Sequence, residues 1–206
     1  MASTEETAAR FLEASVVHDR EHVLGRPCPV PNESGIYGWW FRQPPLDADL
    51  SGCFRRDGLP LLYTGISPKR PPTNGAAPSK QNLRKRIRTH YTGNAAGSTL
   101  RRTLGCLLAD QIRIELRRVG SGQRLTFGIG EQRLSEWMGV NAFVSWLPCE
   151  EPWIVEDHLI STLDLPLNLQ GNARNIFHGT LTDLRAAAAA TARMASVLPN
   201  PRIGGR

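Results

Sequence analysis

The amino-acid sequence predicts an α+β domain in which a small three-stranded central sheet is flanked by helices. Three short apolar runs predict the strands, because each is rich in aromatic or β-branched residues and is bounded by turn-forming residues. The runs are residues 35–41, 61–66 and 142–147. A turn is expected at Asp57-Gly58. An extra β-hairpin is expected from residues 111–119 and 125–127, where apolar and polar residues alternate.

Helical spacing of apolar residues is found in six further segments. The first, residues 3–18, begins with Ser3 and Glu6 at capping-box spacing. It belongs to an N-terminal helical arm, residues 1–26, to which the sequence assigns no chemistry. An Ala-rich C-terminal helix is predicted over residues 180–198, where Pro199 ends it. The other four predicted helices are residues 81–91, 98–110, 130–137 and 151–163.

Length and composition are those of one folded domain, residues 1–206. Of the 206 residues, 40% are hydrophobic and 21% are charged, which is ordinary for a globular protein. The first 24 residues contain five acids and no unbroken apolar stretch, so we expect no signal peptide. No segment has the ~20 apolar residues of a membrane span, so we expect no membrane contact. The scattered cysteines indicate reduced thiols and a cytoplasmic location; they are Cys28, Cys53, Cys106 and Cys149.

The net charge of +6 is concentrated in the middle of the chain. Residues 69–118 hold twelve Lys or Arg against two acids, a local charge of +10. Such a face favours a polyanion, because neutralised phosphates drive nucleic-acid binding. The alternative is a solvated Arg-rich surface. The side chains predicted to contact phosphates are Lys69, Arg70, Lys80, Arg84, Lys85, Arg88 and the outward-facing pair Arg101 and Arg102.

Glu156 is the most unusual residue of the predicted helices. At 100° per residue it lies within roughly 60° of Trp153, Leu159, Ile160 and Leu163, in the middle of an apolar stripe. A carboxylate that faces a core must be paired, protonated or bound to a metal. An arginine partner is the structural explanation. A divalent metal is the functional one, because carboxylate oxygens suit Mg²⁺ or Mn²⁺.

Arg86 and His90 are spaced i, i+4 and flank the apolar stripe of helix 81–91. We expect both at the border between buried and exposed surface, where an active-site group would lie. The alternative is an Arg-rich surface helix with a bystander histidine. Taken alone, Tyr37 and Tyr63 are each better explained as core residues, and Asn168 is better explained as part of a turn. Period-2 alternation places Leu61, Tyr63 and Gly65 on one face, and Tyr37, Trp39 and Phe41 on one face of their own strand.

Together these residues resemble the GIY-YIG nuclease superfamily. The first motif is complete as Gly35-Ile36-Tyr37, and the second is Tyr63-Thr64-Gly65, with threonine at the usual central apolar position. The pattern L-x-x-R stands at residues 83–86 and selects Arg86, and His90 follows one turn later. The resemblance covers a core of residues 34–172, and it implies a mainly antiparallel sheet.

Two later residues complete the resemblance. Glu156 matches the family's metal glutamate, and Asn168 its structural asparagine. The long basic loop before Arg86 and the histidine after it look more like the restriction-type members. The resemblance therefore implies a stand-alone nuclease domain, with a role in restriction or defence or in DNA processing.

The resemblance implies a DNA endonuclease that leaves 5′-phosphate and 3′-hydroxyl ends. One Mg²⁺ or Mn²⁺ per site would be held by Glu156, and Arg86 would hold the scissile phosphate. Tyr63, with Tyr37, would act as or support the general base, and His90 would share proton transfer or phosphate contact. Double-strand cutting by one site would require a homodimer or sequential nicks. The alternatives are a DNA-binding module that has lost catalysis and a metal-free RNA binder.

Overall fold

The computed structural model describes residues 2–14, 16–45, 47–74, 77 and 79–200. It confirms the α+β class. In chain order the helices and strands are α1 (Thr4–Ala14), α2 (Arg20–Leu24), β1 (Gly35–Phe41), β2 (Arg55–Arg56), β3 (Leu59–Ser67), α3 (Leu83–Thr92), α4 (Thr99–Leu107), β4 (Arg117–Val119), β5 (Arg124–Thr126), α5 (Gly130–Asn141), β6 (Ala142–Pro148), α6 (Pro152–Thr162) and α7 (His178–Met194).

The central sheet has the order β2-β3-β1-β6, and all its pairings are antiparallel. Its three main strands are the three predicted ones. The short β2 was not predicted, and it pairs with β3 across the expected turn, where Asp57 and Gly58 have φ of 49° and 80°. The extra hairpin is β4 and β5, which form a separate two-stranded sheet. It begins at Arg117 rather than at residue 111, because residues 108–113 continue α4 as turns.

A β-bulge in β3 changes which side chains share a face. Trp39 pairs with Tyr63, whereas Trp40 pairs with Leu61, so Leu62 is an extra residue in β3. Tyr63 and Gly65 therefore share a face, as predicted. Leu61 does not share it, and that part of the prediction was wrong because simple alternation assumes an unbroken register.

The sheet separates two hydrophobic clusters. One holds Tyr37, Trp39 and Phe41 together with the apolar stripes of α3 and α5. The other holds Ile36, Trp40 and Leu61 with residues of α1 and α6. Both faces of β1 are thus covered, which explains why all seven of its residues are buried.

The terminal helices differ in extent from the predicted ones. The Ser3 and Glu6 capping box forms as expected, with both reciprocal hydrogen bonds, but α1 ends at Ala14 and a second short helix, α2, follows. The C-terminal helix α7 spans His178–Met194 instead of residues 180–198. Within the described part of the chain, no helix combines the length and apolar character that crossing a membrane requires.

Candidate active site

A cavity of about 970 Å³ opens where β3, α3, α4, α6 and α7 meet. Of the six side chains predicted to carry chemistry, five line this cavity: Tyr37, Tyr63, Arg86, Glu156 and Asn168. His90 does not belong to the lining. Residues 119 positions apart in sequence, from Tyr37 to Glu156, therefore share one concave surface.

Tyr37 forms a buried wall of the cavity and is only 1% exposed. Its ring lies over Gly65, its register partner on β3, so that a methyl group on Gly65 would come within 2.5 Å of the Tyr37 hydroxyl. This close approach explains why the second motif needs glycine two residues after Tyr63. Burial raises the pKa of Tyr37, and Tyr63 adds to the effect. Tyr37 is therefore a neutral phenol at neutral pH.

His90 is fully buried, and the prediction that it lies at the border of the exposed surface was wrong. On the helical wheel it is about 20° from the buried Leu83, whereas Arg86 is about 60° away. Its Nε2 is 2.8 Å from the Tyr37 hydroxyl and its Nδ1 is 2.7 Å from Ser98 Oγ. Burial lowers the pKa of His90 well below its ordinary value, with Arg86 contributing. A neutral ring thus orients Tyr37 from behind.

Arg86 is half-buried, and its guanidinium is held at two points. Its Nε donates to the Tyr37 hydroxyl at 3.3 Å and its Nη1 donates to the Gly97 carbonyl at 2.9 Å. The remaining nitrogen, Nη2, hydrogen-bonds no described residue. An arginine fixed in this way presents a free donor and an unpaired charge to the cavity.

Tyr63 is the more accessible of the two tyrosines. Its pairing with Trp39 in the regular part of the register places it on the face of Tyr37, where it is half-buried and lines the cavity. Burial raises the pKa of Tyr63, while a hydrogen bond with Thr99 and the charge of Arg86 act in the opposite direction. Its environment therefore combines desolvation with a cation that favours the phenolate.

Glu156 lies in the middle of the buried stripe of α6, as predicted. Pro152, Val155, Leu159 and Ile160 of the same helix are buried. Glu156 itself is half-buried, because the cavity opens above it. It makes no hydrogen bond or ion pair with any described residue, so the arginine partner of the structural explanation is not found among them. Burial raises the pKa of Glu156 to about 7, with Asp157 contributing.

Asn168 holds β3 in place. Its Oδ1 accepts from the Thr64 backbone amide at 2.9 Å, and its Nδ2 donates to the Thr64 carbonyl at 2.9 Å. Leu167 N also donates to the Leu62 carbonyl at 3.0 Å. The segment thus covers the free edge of β3 beyond β2 and fixes the backbone between Tyr63 and Gly65. Its side chain is a positioning group.

The predicted phosphate contacts fall into three groups. Lys69, Arg70 and Arg102 line the cavity, and Arg70 forms an exposed 2.7 Å ion pair with Asp157. Outside this lining lie the exposed Lys80, Lys85 and Arg88, and the half-buried Arg84, whose Nε donates to the Val30 carbonyl.

Arg101 forms the third group, and its predicted outward orientation was wrong. It is fully buried and forms a 2.7 Å ion pair with Glu131. It also donates to the carbonyls of His90 and Tyr91, in the last turn of α3. Because those carbonyls have no partner within their own helix, Arg101 serves as a structural cap that joins α3, α4 and α5.

Sequence reasoning missed two parts of the lining. Residues 95–99, which lead into α4, contribute backbone and small polar side chains. Arg185 of α7 also lines the cavity. It lies within about 60° of Leu181, Ala188 and Ala192 on the inward stripe of α7. Like Glu156, it is a charged residue in the middle of an apolar stripe, which could have been recognised from the sequence.

The donor set fits a hard, oxygen-ligated divalent cation such as Mg²⁺ or Mn²⁺ better than zinc. No group of three or more His, Cys, Asp or Glu side chains is placed to hold a metal among the described residues. Such a group would be expected for zinc. Mg²⁺ instead keeps several waters and needs only one or two carboxylates plus substrate phosphates. The unpaired, desolvated Glu156 supplies one such carboxylate.

The fold and the cavity define a small α+β domain with a tyrosine pair, an anchored arginine and an unpaired carboxylate at one site. A family model described as the GIY-YIG catalytic domain matches residues 35–187, and the chain belongs to that family. The family indicates nuclease activity. Searches of curated proteins and of solved structures found no match. The family match extends beyond the predicted 34–172 core into α7, the helix that contributes Arg185.

Proposed function

We propose that this chain is a metal-dependent DNA endonuclease that hydrolyses phosphodiester bonds and leaves 5′-phosphate and 3′-hydroxyl ends. The observation that carries the proposal is the unpaired Glu156, which shares a cavity with Arg86 and both tyrosines. A desolvated carboxylate without a partner is destabilising unless a ligand compensates it. The basic residues at the cavity favour a polyanionic substrate.

Arg86 is the group that would hold the scissile phosphate. Two of its nitrogens are occupied by Tyr37 and Gly97, which fixes the guanidinium and leaves Nη2 to donate to a ligand. A preoriented donor with a permanent charge stabilises the negative charge of a phosphoryl transition state without reorganising. Tyr37 and His90 then act as positioning residues, because they hold Arg86 through the Tyr37 hydroxyl.

Tyr63 is the group that would accept the proton of the attacking water. The Tyr37 hydroxyl is already shared between His90 and Arg86, whereas Tyr63 lies at the accessible side of the cavity. A phenol with a raised pKa is protonated at neutral pH, so Tyr63 must first release its own proton to bulk solvent as the substrate binds, and only then can its phenolate accept a proton from the attacking water. The charge of Arg86 assists this release, because it lowers the pKa of Tyr63 and so favours the phenolate.

Glu156 would hold one Mg²⁺ or Mn²⁺, which when bound supplies charge stabilisation at the leaving oxygen. Glu156 itself contributes a carboxylate, and its pKa of about 7 falls when a cation lies beside it. A cation that binds the folded protein there should raise the melting temperature.

Nicking of supercoiled plasmid tests the proposal. With Mg²⁺ or Mn²⁺ the wild-type protein should nick, and with EDTA it should not. Glu156→Ala and Arg86→Ala should each lose about 10²–10³-fold or more of the rate, as for other removed electrostatic groups. The matched controls are Glu150→Ala and Arg193→Ala, which change exposed residues outside the cavity lining.

The outcomes separate the alternatives. Binding of DNA without nicking by any variant would identify a DNA-binding module that has lost catalysis, and preference for RNA would identify the metal-free RNA binder. Full cleavage by Glu156→Ala or Arg86→Ala would refute the site assignment. A second readout is independent of activity: Mg²⁺ should raise the melting temperature of the wild-type protein and of Glu150→Ala, but not of Glu156→Ala.

A further inference from the structure

Two arginines that the proposed mechanism does not use line the cavity from helices that pack against each other. Arg102 belongs to α4 and Arg185 to α7, and both are half-buried in the lining. The Arg185 Nη1 donates to Thr103 Oγ1 at 3.3 Å, so α7 is tied to the residue that follows Arg102. The packing of these two helices therefore brings two positive charges to one place.

Neither guanidinium is neutralised by a described acidic residue. Within the described chain, no acidic side chain forms an ion pair with Arg102 or Arg185, and the buried Nε of Arg102 has no hydrogen-bond partner. Burial lowers the pKa of Arg185, and the neighbouring Arg102 lowers it further. Two like charges that are partly desolvated cost free energy, so an anion that binds between them would relieve a strain present in the free protein.

Arg101, the preceding residue of α4, has a structural role and allows a comparison of hydrogen-bond partners. Its guanidinium donates to the Glu131 carboxylate, to the hydroxyl of Ser135 and to the carbonyls of His90 and Tyr91. Arg102 has none of these partners. The contrast within one turn of α4 argues that Arg102 is not held in the cavity for packing.

We propose that Arg102 and Arg185 form a second phosphate-binding subsite, which takes a backbone phosphate flanking the scissile one in the bound DNA strand. This inference rests on the proposed function, because it assumes that Arg86 holds the scissile phosphate. The cavity has room for it, since about 970 Å³ lies at the upper end of the range for small-molecule sites, ~300–1,000 Å³. Two phosphate contacts on one strand would fix the register of the strand against Tyr63 and Glu156.

The experiment scans duplexes that carry one neutral methylphosphonate at each backbone position in turn. Affinity is measured in EDTA, so that no cleavage occurs. For the wild-type protein we expect two sensitive positions, each weakening binding about 10-fold, as charge-assisted hydrogen bonds do. In the double variant Arg102→Gln/Arg185→Gln, overall affinity should fall about 10-fold or more, and only the flanking position should lose its sensitivity.

The control is the double variant Arg10→Gln/Arg193→Gln, which removes two exposed arginines outside the lining and should keep both sensitive positions. The variant Arg102→Lys/Arg185→Lys should recover part of the affinity, because lysine still binds phosphate as a point charge. The salt dependence gives a further readout: the slope of log K against log salt should fall by about 1 in Arg102→Gln/Arg185→Gln.

The melting temperature without DNA distinguishes an anion-binding role of Arg102 and Arg185 from a packing role. If the arginines form an anion site, Arg102→Gln/Arg185→Gln without DNA should melt at the wild-type temperature or above it, because a repulsion has been removed. A lower melting temperature together with two unchanged sensitive positions would overturn the inference. Failure of the wild-type protein to bind or nick DNA would instead refute the proposed function, and the subsite with it.

Discussion

Gly65→Ala is the substitution that tests most directly how the sheet positions the site. A methyl group at residue 65 would lie 2.5 Å from the Tyr37 hydroxyl and 2.7 Å from Tyr37 Cζ. To reach an ordinary 3.4 Å contact, the hydroxyl must move by about 0.9 Å. That hydroxyl makes the 2.8 Å hydrogen bond with His90 and accepts the 3.3 Å hydrogen bond from Arg86. A movement of this size cannot preserve both hydrogen bonds, and at least one of them is lost.

The expected cost has two parts. Forcing an extra methyl group into a packed core costs about 1–3 kcal/mol, and loss of one buried hydrogen bond adds about 1 kcal/mol. For a domain of about 200 residues the melting temperature falls by about 2–4 °C per kcal/mol, so we expect a drop of roughly 5–15 °C. Nicking should fall about 10²-fold, because a displacement near 1 Å in a positioning group has that effect.

The assay is plasmid nicking at a temperature well below the melting point of the variant, with calorimetry on the same sample. Gly179→Ala is the matched control, because a methyl group there meets nothing within 4 Å. As a glycine in the first turn of α7, it should become more stable by about 0.5–1 kcal/mol and should keep full activity. A folded Gly65→Ala protein that nicks at the wild-type rate would refute the role given to Tyr37.

Two further substitutions test buried polar groups. Below pH 6.5 His90 is protonated in the unfolded chain but stays neutral in the folded protein. The free energy of unfolding of the wild-type protein should therefore fall as the pH drops through that range. His90→Gln should show a weaker pH dependence in urea unfolding between pH 5 and 8. Arg101→Leu should lose about 3–5 kcal/mol in urea unfolding, because it leaves Glu131 without its partner; an unchanged stability with weakened DNA binding would restore the surface role first predicted for Arg101.

The central sheet could be predicted because its strands are dense in aromatic and β-branched residues and lie between turn signals. The bulge at Leu62 could not, since nothing in L-L-Y-T-G marks which leucine is the extra residue. The bulge is what places Leu61 on the face opposite to Tyr63. The short β2 was missed for a related reason: two arginines have no strand pattern, and their pairing depends on the turn at Asp57-Gly58.

Helix-face geometry predicted Glu156 correctly and His90 incorrectly, and the difference is physical. Glu156 is surrounded on α6 by residues that are themselves buried, so its place in the stripe could be read from α6 alone. The environment of His90 is set by other elements. Trp39 packs edge-on against its ring with centroids 5.6 Å apart, and Ser98 closes it from the start of α4. A helical wheel of α3 alone includes neither of these contacts, so it could not predict the full burial of His90.

Arg185, near the far end of the chain, lies in a helix-face position like that of Glu156. Its position among the alanines of α7 is equivalent to that of Glu156 on α6: a charged side chain in the middle of an inward stripe. Both groups lack an ion-pair partner among the described residues, and both line the same cavity. Two charges of opposite sign, from helices that are remote in sequence, thus line the same cavity. Each of them destabilises the protein while it is unpaired. A phosphodiester bound with a divalent cation, as proposed above, would satisfy both: the cation would compensate the carboxylate, and the phosphates would compensate the arginines.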